Sequence, residues 1–70
     1  MDTNEIPICE LEEYGLPSRV IDLLDNENII YIGQALRYNR DQMLSLPNMG
    51  LIQLRQLLKA LVLHRMDHNW

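Results

Sequence analysis

Leu44-Ser45-Leu46-Pro47-Asn48-Met49-Gly50 joins a short apolar segment to a long apolar run. Pro47 disfavours helical geometry in the residue before it, so a helix is expected to end near Leu46. Gly50 is expected to take a turn conformation that residues with a Cβ avoid. Beyond it, Ile52, Leu54, Leu57, Leu58, Leu61 and Val62 recur at helical spacing. The stretch therefore predicts a tight helix–turn–helix whose second helix opens with free backbone N–H groups. Such an end attracts anions, nucleic-acid phosphate among them. Taken alone, the same residues also suit a plain hairpin between packed helices.

Working outward, Asn39 is placed to cap a helix from about Arg40 to Leu46, with Gln42 three residues on as in a capping box. That helix would pack through Met43, Leu44 and Leu46. The last helix is expected from about Leu51 to His64. Upstream, Leu16-Pro17-Ser18 is a helix start, because proline is favoured in a first turn. Val20, Ile21, Leu23 and Leu24 form its apolar face, Asp22 and Asp25 lie outside, and Asn26-Glu27-Asn28 ends it. Ile29-Ile30-Tyr31-Ile32 alone would suit a buried strand, but no second strand is evident to pair with it and a lone strand is unstable. A short helix from about Ile32 to Arg37 is expected instead. Glu10 to Gly15 is acidic, with Leu11 and Tyr14 as possible anchors.

The expected fold is all-α, a compact bundle of four to five short helices with a helix-hairpin-helix-like unit. Leu54, Leu57, Leu58 and Leu61 should share a core face with Val20, Leu23, Leu24, Ile32, Leu36 and Leu44. Residues 1–8 read as a flexible arm or linker end, 9–66 as the domain, and 67–70 as a tail. Seventy residues make one domain. A chain this short buries roughly 60% of its unfolded surface, so modest stability is expected. The core is aliphatic, because 47% of residues are hydrophobic yet none is Phe.

No apolar run is long enough to span a membrane, and the acidic start is unlike a signal peptide, so a cytoplasmic setting is expected. Cys9 is the only cysteine, which excludes an internal disulfide; it is expected to act as a small buried or half-buried apolar residue. His64 and His68 lie four apart with Asp67 between them, a spacing that can place two ligands on one helix face. The general base of a His-Glu-x-x-His motif is absent, and no metal site is expected. Glu12 and Glu13 are adjacent and so do not oppose each other across a cleft. With no recognisable nucleophile–base pairing, no catalytic residue, cofactor or small-molecule substrate is assigned.

The formal charge is −4 and unevenly spread. Up to Glu27 there are eight acids and one base, Arg19, a net −7; from Asn28 onward there are five bases and two acids, a net +3. A fold that separates these halves gives a basic face, although an ordinary solvated surface would show the same tally.

The ordered set of Arg19 opening a helix, Tyr31-Ile32-Gly33, Leu44-Ser45-Leu46-Pro47-Asn48-Met49-Gly50 and a leucine-rich helix resembles the C-terminal domain of the bacterial RNA polymerase alpha subunit. The resemblance runs from about Glu12 to Leu58, and the terminal Asn69-Trp70 also has a counterpart. It implies a non-catalytic accessory domain that binds A/T-rich upstream promoter DNA in the minor groove and contacts sigma factor or activators, in a nucleoid-associated setting. Arg19, Asn48 and Gly50 match the family's DNA contacts. Glu12 and Glu13 match an acidic patch facing sigma. Asn39, Arg40, Asp41 and Gln42 fall where the family presents an activator-contacting surface.

The chain departs from the family pattern at several positions. Asp22 stands where a DNA-contacting Asn is common, and Leu51, Ile52 and Gln53 replace a polar, often basic stretch. Gln56 replaces a Glu, Gly15 removes the third member of the acidic patch, and about five residues are missing after Lys59. These changes predict weak DNA binding. They also raise the alternative of a stand-alone interaction module that mimics the family and binds transcription regulators without DNA, using Leu51 and Ile52 as an apolar patch.

Overall fold

The computed structural model describes residues 2–70; Met1, part of the expected arm, lies outside them. The fold is all-α. A 3₁₀ turn (Thr3–Glu5) and a longer 3₁₀ helix (Ile8–Tyr14) precede four α-helices: α1 (Ser18–Asn26), α2 (Ile32–Ala35), α3 (Arg40–Leu44) and α4 (Leu51–His68). The chain measures 30 × 20 × 18 Å along its principal axes, and α4 spans most of the long axis at about 1.5 Å per residue.

Local chemistry explains the helix ends. Asn28 takes a left-handed conformation after α1, its N–H donates to Asp25 O and the Ile29 N–H donates to Leu24 O. That pair of bonds satisfies carbonyls the helix leaves free. At α3, Asn39 Oδ1 accepts from the Gln42 N–H at 2.8 Å and Gln42 Oε1 accepts from the Asn39 N–H at 2.9 Å, the reciprocal cap expected from the sequence. This helix stops at Leu44, two residues early, with the Ser45 hydroxyl donating to Gln42 O. The short helix α2 likewise ends at Ala35 rather than Arg37.

The turn at Pro47–Gly50 differs from expectation in its key residue. Asn48 takes the left-handed conformation, with φ 66°, whereas Gly50 is extended at φ −101°. Asn tolerates this region better than most residues with a Cβ, so the turn does not need glycine for its backbone angles. Gly50 is instead crowded by Gln53, whose Oε1 accepts from the Gly50 N–H at 3.0 Å and would lie 2.6 Å from an added Cβ.

Among the described residues, 2–8 are not an arm. Ile6 and Ile8 are buried in the core, the Ile8 N–H donates to Ile30 O and the Ile32 N–H donates to Ile6 O, each at 2.8 Å. Pro7 and Tyr31 form an isolated antiparallel bridge, the partner that the Ile29–Ile32 segment was expected to lack. Gly33 permits this closure: a Cβ there would sit 2.9 Å from the Asn4 Cα. Residues 67–70 are no free tail either, since α4 continues to His68 and Trp70 packs against the core.

Val20, Leu23, Leu24, Ile32, Leu54, Leu57 and Leu61 are buried together as expected, joined by Leu11, Leu16, Ile29, Met43, Met49 and Ala60. Leu58 and Leu36 are about half exposed, at 52% and 49%, and Leu44 only flanks the core. Ala60 and His64 complete the buried stripe of α4 in their place. Cys9 is exposed rather than buried, because Ile8 and Leu11 are the residues its 3₁₀ helix turns inward.

Candidate nucleic-acid interface

The N-termini of α1 and α4 lie side by side. Ser18, Arg19 and Gln53 line both of two adjoining surface depressions; Asp22, Asn26 and Asn48 complete one, and Pro17, Ile52 and Gln56 belong to the other. Neither helix has a side-chain cap at its start, where Pro17 and Gly50 stand. Each helix start carries unpaired N–H groups and the positive end of a helix dipole. Arg19 is exposed, and among the described residues no ion pair joins it to Asp22. Its guanidinium is therefore available as a fork of donors suited to phosphate or to a narrow minor groove.

Asn48 is also exposed, and its left-handed backbone holds the turn while its side chain faces the depression shared with Arg19. Gly50 lines neither depression: its N–H donates to Gln53 Oε1 and the Gln53 side chain covers it, so the structure does not bring it together with Arg19 and Asn48. Asp22 lines the same depression as Arg19 and Asn48, and its carboxylate opposes any phosphate brought there. Leu51 and Ile52 are both exposed, but they diverge. Ile52 lies beside Arg19, and Leu51 faces a groove on the α3 side.

The other expected contact residues are on the surface in two separate places. Glu12 and Glu13 are exposed on the 3₁₀ helix before α1. Asn39, Arg40, Asp41 and Gln42 are exposed at the start of α3, where the side chains of Asn39 and Gln42 are engaged in the cap.

A second polar cluster went unforeseen. His64 is fully buried; its Nε2 lies 3.0 Å from Glu10 Oε2, and its Nδ1 accepts from Trp70 Nε1 at 2.8 Å. His68 stacks on His64 with ring centroids 4.1 Å apart. Tyr14 donates a short hydrogen bond to Asp67, and its hydroxyl lies 3.1 Å from His68 Nε2. The Asp67 bond, partial desolvation and the carboxylates of Asp67, Glu13 and Glu10 push the Tyr14 phenol up to about 12. Both ring nitrogens of His64 are occupied, so the His64/His68 pair is a packing unit that ties the end of α4 to the 3₁₀ helix Ile8–Tyr14. The only signal for it in the sequence is the i, i+4 spacing.

Compared with known proteins, the chain matches no family model, no curated sequence and no solved structure. Among the described residues no helix is long and apolar enough to cross a membrane, and no group of His, Cys, Asp and Glu is arranged to hold a metal ion.

Proposed function

We propose that this chain is a non-catalytic transcription domain of the RNA polymerase alpha C-terminal type. It touches A/T-rich duplex DNA weakly through Arg19 and Asn48, with Gly50, the third residue the family resemblance implies, reached only if the Gln53 side chain moves aside. The observation that carries this reading is the convergence of Arg19, Asn48 and two uncapped helix N-termini on one exposed polar face. Those groups are donors without protein acceptors, the combination that a phosphate backbone satisfies. Asp22 keeps the contact weak. RNA polymerase, sigma factor or activators would meet the exposed Glu12–Glu13 and Asn39–Gln42 surfaces, placing the domain at the nucleoid. Titration of an A/T-rich duplex at low salt tests the reading: binding that falls on Arg19→Ala supports it, and no binding by either the parent chain or Asp22→Asn removes it.

A second reading is favoured by one observation: Leu51 and Ile52 are 44% and 68% exposed at the very start of α4. Leucine and isoleucine at the edge of a DNA face add nothing to phosphate contact, but they suit a protein partner. Here the domain is an interaction module that binds transcription regulators without DNA. Changing both residues to Lys should abolish partner binding and leave the fold intact.

A further inference from the structure

Four bases, Arg37, Arg40, Arg55 and Lys59, have no carboxylate within ion-pair distance among the described residues. Arg40 and Arg55 meet between α3 and α4, Arg37 lines a separate depression beside α3, and Lys59 lies one turn along α4 from Arg55. Between α3 and α4 lies an open groove of about 430 Å³. Exposed Leu36, Leu51 and Leu58 wall it, buried Met43 contributes to its lining, and Arg40 and Arg55 border it. Three large apolar side chains are thus held open to solvent next to unpaired guanidinium groups.

We propose that this groove docks an acidic amphipathic helix of a partner protein. The proposal deepens the interaction-module reading by naming the partner's chemistry, and it does not depend on DNA contact. From Leu51 to Leu61 the groove follows α4 for ten residues, about 15 Å at 1.5 Å per residue. That length matches a partner helix inserting apolar anchors at i, i+3 or i+4, and i+7. Carboxylates flanking those anchors would meet Arg40 and Arg55, and only Asp41 and Asp67 oppose the five bases after Asn28. Charge complementarity of this kind orients the partner and rejects basic helices.

A second copy of the chain fits the groove poorly. A two-fold pairing of this face would bring Arg40 and Arg55 of both copies into one interface whose lining holds no carboxylate to meet them. The chain's acidic segment offers no insert, because the apolar Ile8 and Leu11 beside Glu12 and Glu13 are already buried in the core.

The test is a display selection of helix-forming peptides against the intact chain, followed by titration of a labelled selected peptide. Enrichment of acidic peptides with Leu, Ile, Phe or Met at i, i+3 or i+4, and i+7 is expected. Leu58→Glu and Arg55→Glu should each weaken the peptide roughly tenfold or more, the loss of one strong anchor, with unchanged circular dichroism. Replacing the peptide's Glu residues by Lys should do the same, whereas Ile52→Lys should leave binding intact. The proposal is overturned if nothing is enriched, if the enriched peptides are not acidic, or if both variants bind normally. Concentration-dependent dimerisation that Leu58→Glu abolishes would also overturn it, by giving the groove to a second copy. If binding is lost on changing Leu51 and Ile52 to Lys but survives Leu58→Glu, the groove fails while the interaction-module reading stands.

Discussion

Trp70 donates its indole N–H to Nδ1 of His64 at 2.8 Å, and this bond sets the proton position in a fully buried imidazole. An indole nitrogen can only donate, so Nδ1 must be bare. The ring proton then resides on Nε2 and is donated to Glu10 Oε2. Trp70 thereby fixes the hydrogen bond between α4 and the 3₁₀ helix Ile8–Tyr14.

Trp70→Phe keeps an aromatic ring and removes the donor. If Nδ1 stays buried and unpaired, the expected loss is about 1–3 kcal/mol of stability. A urea midpoint measured on both proteins reads this directly, and nitrogen-resolved NMR of the parent should show the Nε2–H tautomer. An unchanged midpoint together with the other tautomer would remove the bond from the account.

Tyr14 supplies a pH prediction. Its phenol is raised from 10.0 to about 12, first by the hydrogen bond to Asp67. The folded state holds this proton more tightly than the unfolded state does. The associated stability is therefore fully present below pH 10 and is lost as pH rises through about 12. Tyr14→Phe should flatten that alkaline loss, and the phenolate absorbance missing from the variant should be the component that titrates near 12. If the missing component titrates instead at 10.0, the bond to Asp67 does not persist in solution.

Leu57 and Leu58 are neighbours with opposite fates. Leu57 is 1% exposed and Leu58 52%. Leu57→Ala should cost roughly 2–5 kcal/mol, a large share of the stability available to so small a domain. Leu58→Ala should change stability by only about 0.5 kcal/mol. Thermal melts of the two variants separate the assignments, and equal destabilisation would refute this burial pattern.

This pair also shows where the sequence stops being informative. α1 was legible because its apolar residues Val20, Leu23 and Leu24 form one stripe and Asp22 and Asp25 mark the other side. The Asn39–Gln42 cap was legible because its reciprocal bonds are local. In α4, Leu51, Ile52, Leu58, Val62, Leu63 and Met66 are apolar and exposed, so apolar residues occur on nearly every side. Periodicity cannot select the buried stripe in such a helix: Leu58, expected in the core, is half exposed, and His64, given no place in the core, is buried. Ile6 and Ile8 were missed because they pair with Ile30 and Ile32 across more than twenty residues, and a single bridge leaves no alternating pattern. At the candidate DNA face, the meeting of Arg19 with Asn48 is long-range and came from the family resemblance rather than from spacing. The left-handed residue was misplaced by two, since Asn and Gly both suit that conformation.

The last prediction concerns that face. Arg19, Asn48 and the two helix starts offer few contacts, and Asp22 opposes them. If about three phosphates are neutralised, the salt slope should be near −2.7, and raising salt from 50 to 200 mM should weaken binding roughly 40-fold. Affinity would then be useful only when the domain is tethered beside its DNA. Arg19→Ala should weaken A/T-rich duplex binding more than Arg65→Ala. Arg65 lies fourteen residues along α4 from Leu51, about 21 Å from the site, and its Nε already donates to Trp70 O. Asp22→Asn should strengthen binding by relieving repulsion with phosphate, and it should act only while Arg19 is present, because both line one depression. Fluorescence anisotropy on the single and double variants measures these terms. Equal losses from Arg19→Ala and Arg65→Ala would mean diffuse attraction to a basic surface, and the assignment to the α1–α4 junction would fall.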